Sequence, residues 1–396
     1  MAGDHRIFLL DPGFDSQFGH HASLNLRFAA AFDQLEIFTD RKLDPTIQCP
    51  GAVLTRHFSR SLYSVGMRIY SGRERLSRRL MQALRGRDVF RVSQDFEHDL
   101  RAIWTKRDVS HRDVMIVHSE APPFTRGLAE VLRSLPRHRR PELHIRFTNV
   151  EWVCCDTLGA YSALASSVPP HELNLYVEYD TLRDPVARSF PGARVDLMRG
   201  PIVPSTELPD RVERSRARNR PKILYFGALR RERGWYRLPA IAAGIRRCLD
   251  AELTVHAGVS STHRLGKMAK VAEVLQSLGV RVIVNRLSEG EVSELFADHD
   301  LIILPYDADE YRLRGSSVAL EAVLHACPLV VTQGTVMEDL TRAGNGRPAS
   351  TDDEFVNMIS EMVHSYEGVA QAATSEARRA TEWRDIDMLA QRIMCA

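Results

Sequence analysis

No run of apolar residues in this chain approaches the roughly 20 needed to cross a bilayer, so a membrane-spanning protein is not expected. Cysteine is scarce. Six occur in 396 residues, two of them adjacent at positions 154 and 155, and no Cys-x-x-Cys pair exists. Such spacing supports neither a disulfide framework nor a zinc ribbon, and reads as free or buried thiols in a reducing compartment. An excess of charge of one sign is lacking too. Lys and Arg total 53 against 51 Asp and Glu, a net charge of +2, so no field for nucleic acid is expected. No Gly-x-Gly-x-x-Gly follows an apolar strand and no Walker loop occurs, which removes support for dehydrogenases and ATPases. The segment Met1 to Arg6 leads straight into apolar Ile7 to Leu10 with no secretion-signal run, and a cytoplasmic location is expected. Internal repeats and low-complexity tracts are absent as well.

What is present is an alternation of short apolar runs and helical patterns. Ile7 to Leu10, Leu35 to Thr39, Val114 to Val117, His144 to Thr148 and Val195 to Met198 read as strands. Ser23 to Phe32 and Phe124 to Leu135 read as helices between them. This alternation predicts an α/β fold with parallel sheets covered on both faces. At this length two domains are expected. Prolines at 201, 204, 209 and 221 with dense charge mark a break. The expected division is residues 1–205, a linker over 206–221, a second domain over 222–374 and a tail helix over 375–396.

The most informative stretch is Leu301 to Leu340. Leu301 to Leu304 is a buried strand, a polar loop with Arg312 and Arg314 follows, and Gly315-Ser316-Ser317 lead into a helix over Val318 to His325. Leu329 to Thr332 is the next buried strand. This βαβ unit delivers small residues and their backbone N–H groups to a helix N-terminus, which suits an anion. The two arginines add charge that cannot be titrated away.

These residues resemble the donor site of retaining GT-B glycosyltransferases of the family 4-like group. The resemblance rests on Pro305, Gly315-Ser316-Ser317, Leu320-Glu321-Ala322 and Pro328-Leu329-Val330-Val331. It extends over about Pro221 to Glu361. Lys222 to Gly227 resembles the opening strand of the family's second domain, and Leu253 to Gly258 the next strand. Asn285-Arg286-Leu287-Ser288 resembles the segment beside the nucleobase, with Ser288 and Glu291 forming a capping box. Gly344-Asn345-Gly346 resembles the loop before that domain's last strand, and Trp383-Arg384 its last helix. The resemblance implies two facing Rossmann-like domains with a C-terminal helix crossing back. It implies a nucleoside-diphosphate sugar as donor substrate, a hydroxyl acceptor, retention at the anomeric carbon, and no cofactor or metal. Gly227, Gly258, Arg286, Leu287, Arg314, Gly315, Ser316, Ser317 and Glu321 would line the donor, with Glu321 on the ribose hydroxyls. Arg233 holds the family's lysine position on the diphosphate. Ala228 holds its arginine position, so Arg230 or Arg231 would take that role. Leu313 replaces the second, sugar-facing glutamate.

In the first half, the loop Asp11 to Ala22 carries Gly19, His20 and His21 at a strand's carboxyl end, where acceptor or donor would pass. The adjacent histidines show no third ligand in the sequence, so a metal is not assigned to them. His118 and Glu120 follow the strand Val114 to Val117, placed for proton transfer, and by the resemblance His118 would also contact the donor sugar. With Arg233 they are the candidate catalytic residues. Asp307-Ala308-Asp309 matches an Asp-x-Asp pattern that is too short to assign a metal. From Arg56 to Arg91 the chain has ten arginines and two acids, Glu74 and Asp88. Glu74 to Arg85 reads as a basic amphipathic helix with Arg75, Arg78, Arg79 and Arg85 on its polar side. It is either a solvated face or a dock for an anionic membrane. Two rival functions stay open: a non-catalytic transferase-like partner subunit, motivated by Leu313 and Ala228, and a sugar-nucleotide epimerase.

Overall fold

The computed structural model describes residues 5–16, 20–62, 78–150, 157–199, 208, 210–228, 230–258, 265–285, 287–381 and 385–395. The chain forms two compact units. One is Met1–Pro201 joined by Arg384–Ala396, and the other is Ile202–Trp383.

The first unit is built on seven parallel strands, β1 (Ile7–Asp11), β2 (Leu35–Asp40), β3 (Ala52–Phe58), β4 (Val114–Val117), β5 (Glu142–Phe147), β6 (Leu173–Val177) and β7 (Arg194–Leu197). Their order is β3-β2-β1-β4-β5-β6-β7. The helices are α1 (His20–Ala31), α2 (Arg78–Arg107), α3 (Pro122–Ser134), α4 (Thr157–Ser167) and α5 (Arg183–Ser189). The strands run apolar because both faces of a parallel sheet are covered. Helix α2 extends far beyond the expected Glu74 to Arg85. Its later turns bury Val89, Val92, Phe96, Leu100 and Ile103 at helical spacing, and that buried stripe is what carries it on. Strands β3 and β6 fall outside the sequence expectation. Most of β3 is not buried, as befits an edge.

The second unit has six parallel strands, β8 (Lys222–Ala228), β9 (Glu252–Gly258), β10 (Arg281–Ile283), β11 (Leu301–Leu304), β12 (Leu329–Thr332) and β13 (Gly346–Ala349). Their order is β10-β9-β8-β11-β12-β13. Its helices are α6 (Arg211–Arg216), α7 (Leu238–Cys248), α8 (Leu265–Ser277), α9 (Glu289–Asp298), α10 (Ala308–Tyr311), α11 (Ser317–Leu324), α12 (Asp352–His364) and α13 (Tyr366–Thr381). Ser288 and Glu291 form the capping box that opens α9.

Two boundaries differ from expectation. The charged stretch 206–221 contains α6, and Arg211 there is buried. Its guanidinium donates to the carbonyls of Phe296 (2.9 Å), His325 (2.7 Å) and His299, which end α9 and α11. A cation at two helix C-termini is favourable, so charge that reads as linker becomes part of the second unit. The expected single tail helix is two. Helix α13 stays with the second unit, where Tyr366 Oη donates to Asp300 O at 3.1 Å. The last helix, α14 (Asp385–Cys395), belongs to the first unit and packs Ile386, Leu389, Ala390 and Ile393 against Leu24 and Phe28 of α1. Burying each larger side chain is worth about 1.5–3 kcal/mol. Trp383-Arg384 and Cys154-Cys155 lie outside the described residues. Cys49, Cys248 and Cys327 are free thiols.

Candidate functional site

In an open parallel sheet the ligand crevice lies beyond the carboxyl ends of the strands where the order reverses. The second unit reverses between β8 and β11. Beyond β8 the chain turns through Gly227 at φ +132°, and a Cβ there would meet Arg233 Nη1 at 2.4 Å. Glycine is therefore what lets the Arg233 guanidinium lie against this strand end. Gly234, at φ +70°, comes so near Pro305 that a Cβ would sit 1.7 Å from its carbonyl oxygen. Asp307 N donates to Glu232 O at 2.9 Å. The loops after β8 and β11 are thus stitched together by backbone.

Cationic side chains collect on this stitched surface. Arg233 stacks over the Tyr306 ring at 5.7 Å and Arg314 over the Tyr311 ring at 5.0 Å, while the two tyrosine rings lie 4.6 Å apart. Burial, together with the nearby charges of Arg233 and Arg314, pulls Arg230 below its usual value. Burial works against the Arg233 charge as well, yet the surrounding tyrosines hold it raised. Among the described residues none of these three arginines has a carboxylate within ion-pair distance, and Arg233 Nε is buried with no hydrogen-bond partner. Arg231, by contrast, is exposed. Helix α11 opens nearby in the chain, with the Ser316 hydroxyl accepting from Ala319 N at 3.4 Å. Gly315, Ser317 and Glu321 are partly buried around that start. Asp307 spends its carboxylate capping α10, accepting from Asp309 N (3.0 Å) and Glu310 N (3.2 Å). Gly258 ends β9, where the His256 ring stacks on Phe226 at 4.6 Å and its Nε2 lies 3.0 Å from Asn285 O. Burial lowers the His256 imidazole. Leu287 is partly buried, and Arg286 lies outside the described residues.

The first unit reverses between β1 and β4. There Asp11, His21 and His118 gather. Asp11 Oδ1 is 2.7 Å from His21 Nδ1, and Asp11 Oδ2 is 2.9 Å from His118 Nε2. Burial alone would raise the Asp11 carboxyl, but the two imidazoles hold it well below the usual range. Burial lowers His118, against the pull of Asp11. His118 is completely buried, so its ring serves this cluster. Glu120 is buried as well, accepting from Thr125 Oγ1 (2.7 Å) and Tyr161 Oη (2.9 Å). Burial pushes its carboxyl up to about 8, so it is a neutral acid at pH 7. His20 opens α1, and Gly19 lies outside the described residues.

Two residues of this region escape a sequence reading. Asp11 closes an apolar strand, and a carboxylate at a strand's carboxyl end was the signal to follow. Arg146 is buried in β5, donating from Nε to Met198 O (2.7 Å), from Nη1 to His118 O (3.1 Å) and from Nη2 to Glu178. Nothing in its sequence neighbourhood announces it.

No protein-family model matches the sequence, and no curated protein sequence matches it. Solved structures do match. A sucrose-phosphate synthase from Thermosynechococcus elongatus aligns over 98% of both chains at 14% identity, with a TM-score of 0.68. A trehalose-6-phosphate synthase aligns over 98% of both chains at 10% identity and 0.67. The Anabaena protein HepE, solved with UDP and glucose, aligns over 98% of both chains at 13% identity and 0.66. The chain has the GT-B fold. In GT-B terms the six-stranded unit is the C-terminal domain and the seven-stranded unit the N-terminal one.

Proposed function

We propose that this GT-B chain is a glycosyltransferase that moves a sugar from a nucleoside-diphosphate donor to a hydroxyl acceptor with retention. The observation that carries the reading is the arginine set beyond β8 and β11. Three guanidiniums with no carboxylate partner among the described residues, one with a buried orphan Nε, suit an anion with several oxygens. A diphosphate has that shape. HepE was solved with UDP and glucose and with UDP-glucose, which makes a uridine-diphosphate sugar the first donor to test. Arg230 takes the role left open by Ala228, since Arg231 is exposed. Glu321 accepts from the ribose hydroxyls, and the segment around Leu287, after β10, meets the base.

The chemistry follows from charge. The bond between the anomeric carbon and the phosphate oxygen breaks, and negative charge collects on the departing diphosphate. Arg230, Arg233 and the start of α11 at Ser316 and Ser317 are fixed positive groups aimed at that charge. The acceptor oxygen bonds to the anomeric carbon on the face the diphosphate leaves, and its proton passes to a diphosphate oxygen. No protein base and no metal is required by this scheme. We place the protein in the cytoplasm. The acceptor class is a glycan, a lipid-linked sugar or a small molecule; docking of the basic stretch Arg56 to Arg91 on an anionic membrane, the alternative to a solvated face, would make it a membrane-borne one. Arg75 lies outside the described residues, and Arg78, Arg79 and Arg85 fall on α2. No described helix is long and apolar enough to cross a membrane.

Leu313, at the sugar-facing acidic position, supports a second reading as a donor-binding subunit without catalysis. Donor hydrolysis measured over a panel of UDP-, GDP- and ADP-sugars separates the two. Sugar release from one donor class is expected. Tight donor binding without release over long incubation establishes the second reading instead.

A further inference from the structure

The strand ends of the first unit hold a group that the donor chemistry above does not use. Asp11, His21 and His118 bring one carboxylate and two imidazoles to one point, with ligand atoms all within 4.8 Å of one another and all three side chains buried. They come from three elements. Asp11 is the last residue of β1, His21 the second of α1, and His118 follows β4. We infer that they form a binding site for one divalent transition ion of the zinc class.

The donor set argues for this class of ion. Two imidazole nitrogens with one carboxylate oxygen suit zinc, cobalt, nickel or ferrous iron, whereas magnesium and calcium take oxygen ligands. Three protein ligands are one short of a closed tetrahedron, so a fourth position is left for water or a ligand oxygen. The outer partners that a metal site needs are present. Gly13 N donates to Asp11 Oδ1 at 3.0 Å, and Asn25 Nδ2 donates to Asp11 Oδ2 at 2.8 Å. Ser119 Oγ lies 2.9 Å from His118 Nδ1, which fixes the ring and leaves Nε2 facing Asp11. That buried Nε2 makes no aligned hydrogen bond, although Asp11 Oδ2 is 2.9 Å away. Gly13 completes the site, because a Cβ there would lie 2.3 Å from His21 Cε1.

Without an ion, protons on the imidazoles face the carboxylate. The ion takes the place of a proton, with ligand distances of about 2.0–2.2 Å expected. Its effect is to clamp the end of β1, the start of α1 and the end of β4, all at the order reversal of this sheet.

Metal-stripped full-length protein is titrated with Co2+ while visible absorption is followed, and its thermal unfolding is recorded with and without Zn2+. The expected result is one Co2+ per chain, with d–d bands that Zn2+ abolishes, and a melting temperature raised by Zn2+. His118→Gln and Asp11→Asn are expected to lose the bands. The inference is overturned if stripped wild-type protein shows no bands at millimolar Co2+. It is overturned equally if a folded His118→Gln variant binds Co2+ as tightly as wild type, since the ion then sits elsewhere. The wild-type titration decides even where a variant fails to fold. Donor binding is not the readout, so this inference and the transferase reading fail separately.

Discussion

The two units share a strand order about their reversal points and differ in what they put there. Beyond β8 and β11 stand Arg230, Arg233 and Arg314, cations with no carboxylate partner among the described residues. Beyond β1 and β4 stand Asp11, His21 and His118, an internally compensated group. One topology thus offers the same crevice twice, and side chains decide what each can hold. The cationic end is incomplete without an external anion. The acid–imidazole end offers the ligand set of a cation.

The sharpest way to break this comparison is through the glycines. Gly234→Ala forces a Cβ to 1.7 Å from the Pro305 carbonyl at a left-handed φ, so backbone must move. A loss of about 3 kcal/mol is expected. Gly13→Ala meets the His21 ring first, a side chain rather than backbone, and is expected to cost less. Urea unfolding of both variants checks the ranking, and equal costs would show that the second unit's loops are not stitched as described.

Glu120 tests the claim that the first unit's strand ends are interior chemistry. Its carboxyl sits near 8 when folded and near 4.5 when unfolded. Between those values only the native state holds the proton, so wild-type stability falls as pH rises through this window. The slope is on the order of 1.4 kcal/mol per pH unit. Glu120→Gln keeps a neutral side chain and is expected to flatten the profile and to exceed wild type above 8. Unfolding midpoints at about pH 5 and about pH 9 decide the matter. Parallel profiles for the two proteins would show an exposed, ordinary carboxylate.

On the donor side, Glu321→Ala is expected to weaken UDP binding by about 1.5 kcal/mol through lost bonds to ribose hydroxyls. The fold should persist. Unchanged affinity in a folded variant would remove Glu321 from the site. A further test concerns the first unit's basic stretch. Each arginine near an anionic surface is worth about 1 kcal/mol. Changing Arg75, Arg78, Arg79 and Arg85 together to Gln should abolish liposome co-sedimentation and leave donor hydrolysis intact. Wild type that ignores anionic liposomes at low salt would make the stretch a solvated face.

Some of this was legible in the amino-acid order. Val114–Val117, Leu301–Leu304 and Leu329–Thr332 are fully buried and uninterrupted, so their limits could be read directly. The capping box at Ser288 is local and carries its own signature. The arginines of the second unit lie on two loops whose small residues announce them. The Asp11 cluster was not legible as a whole. Its members meet only because β1 and β4 pair in the sheet, and Asp11 stands ten residues before His21 with no local motif joining them. Arg211 misled for the opposite reason, since a charged residue in a proline-rich run gives no hint of the three carbonyls waiting for it.

The central claim is that the second unit's reversal point is a diphosphate site. Calorimetric titration of UDP and of uridine into wild type and Arg233→Ala tests it directly. The account predicts that Arg233→Ala loses about 2 kcal/mol, roughly thirtyfold, for UDP and almost nothing for uridine. Equal losses for both ligands, or UDP affinity untouched by the substitution, would contradict it.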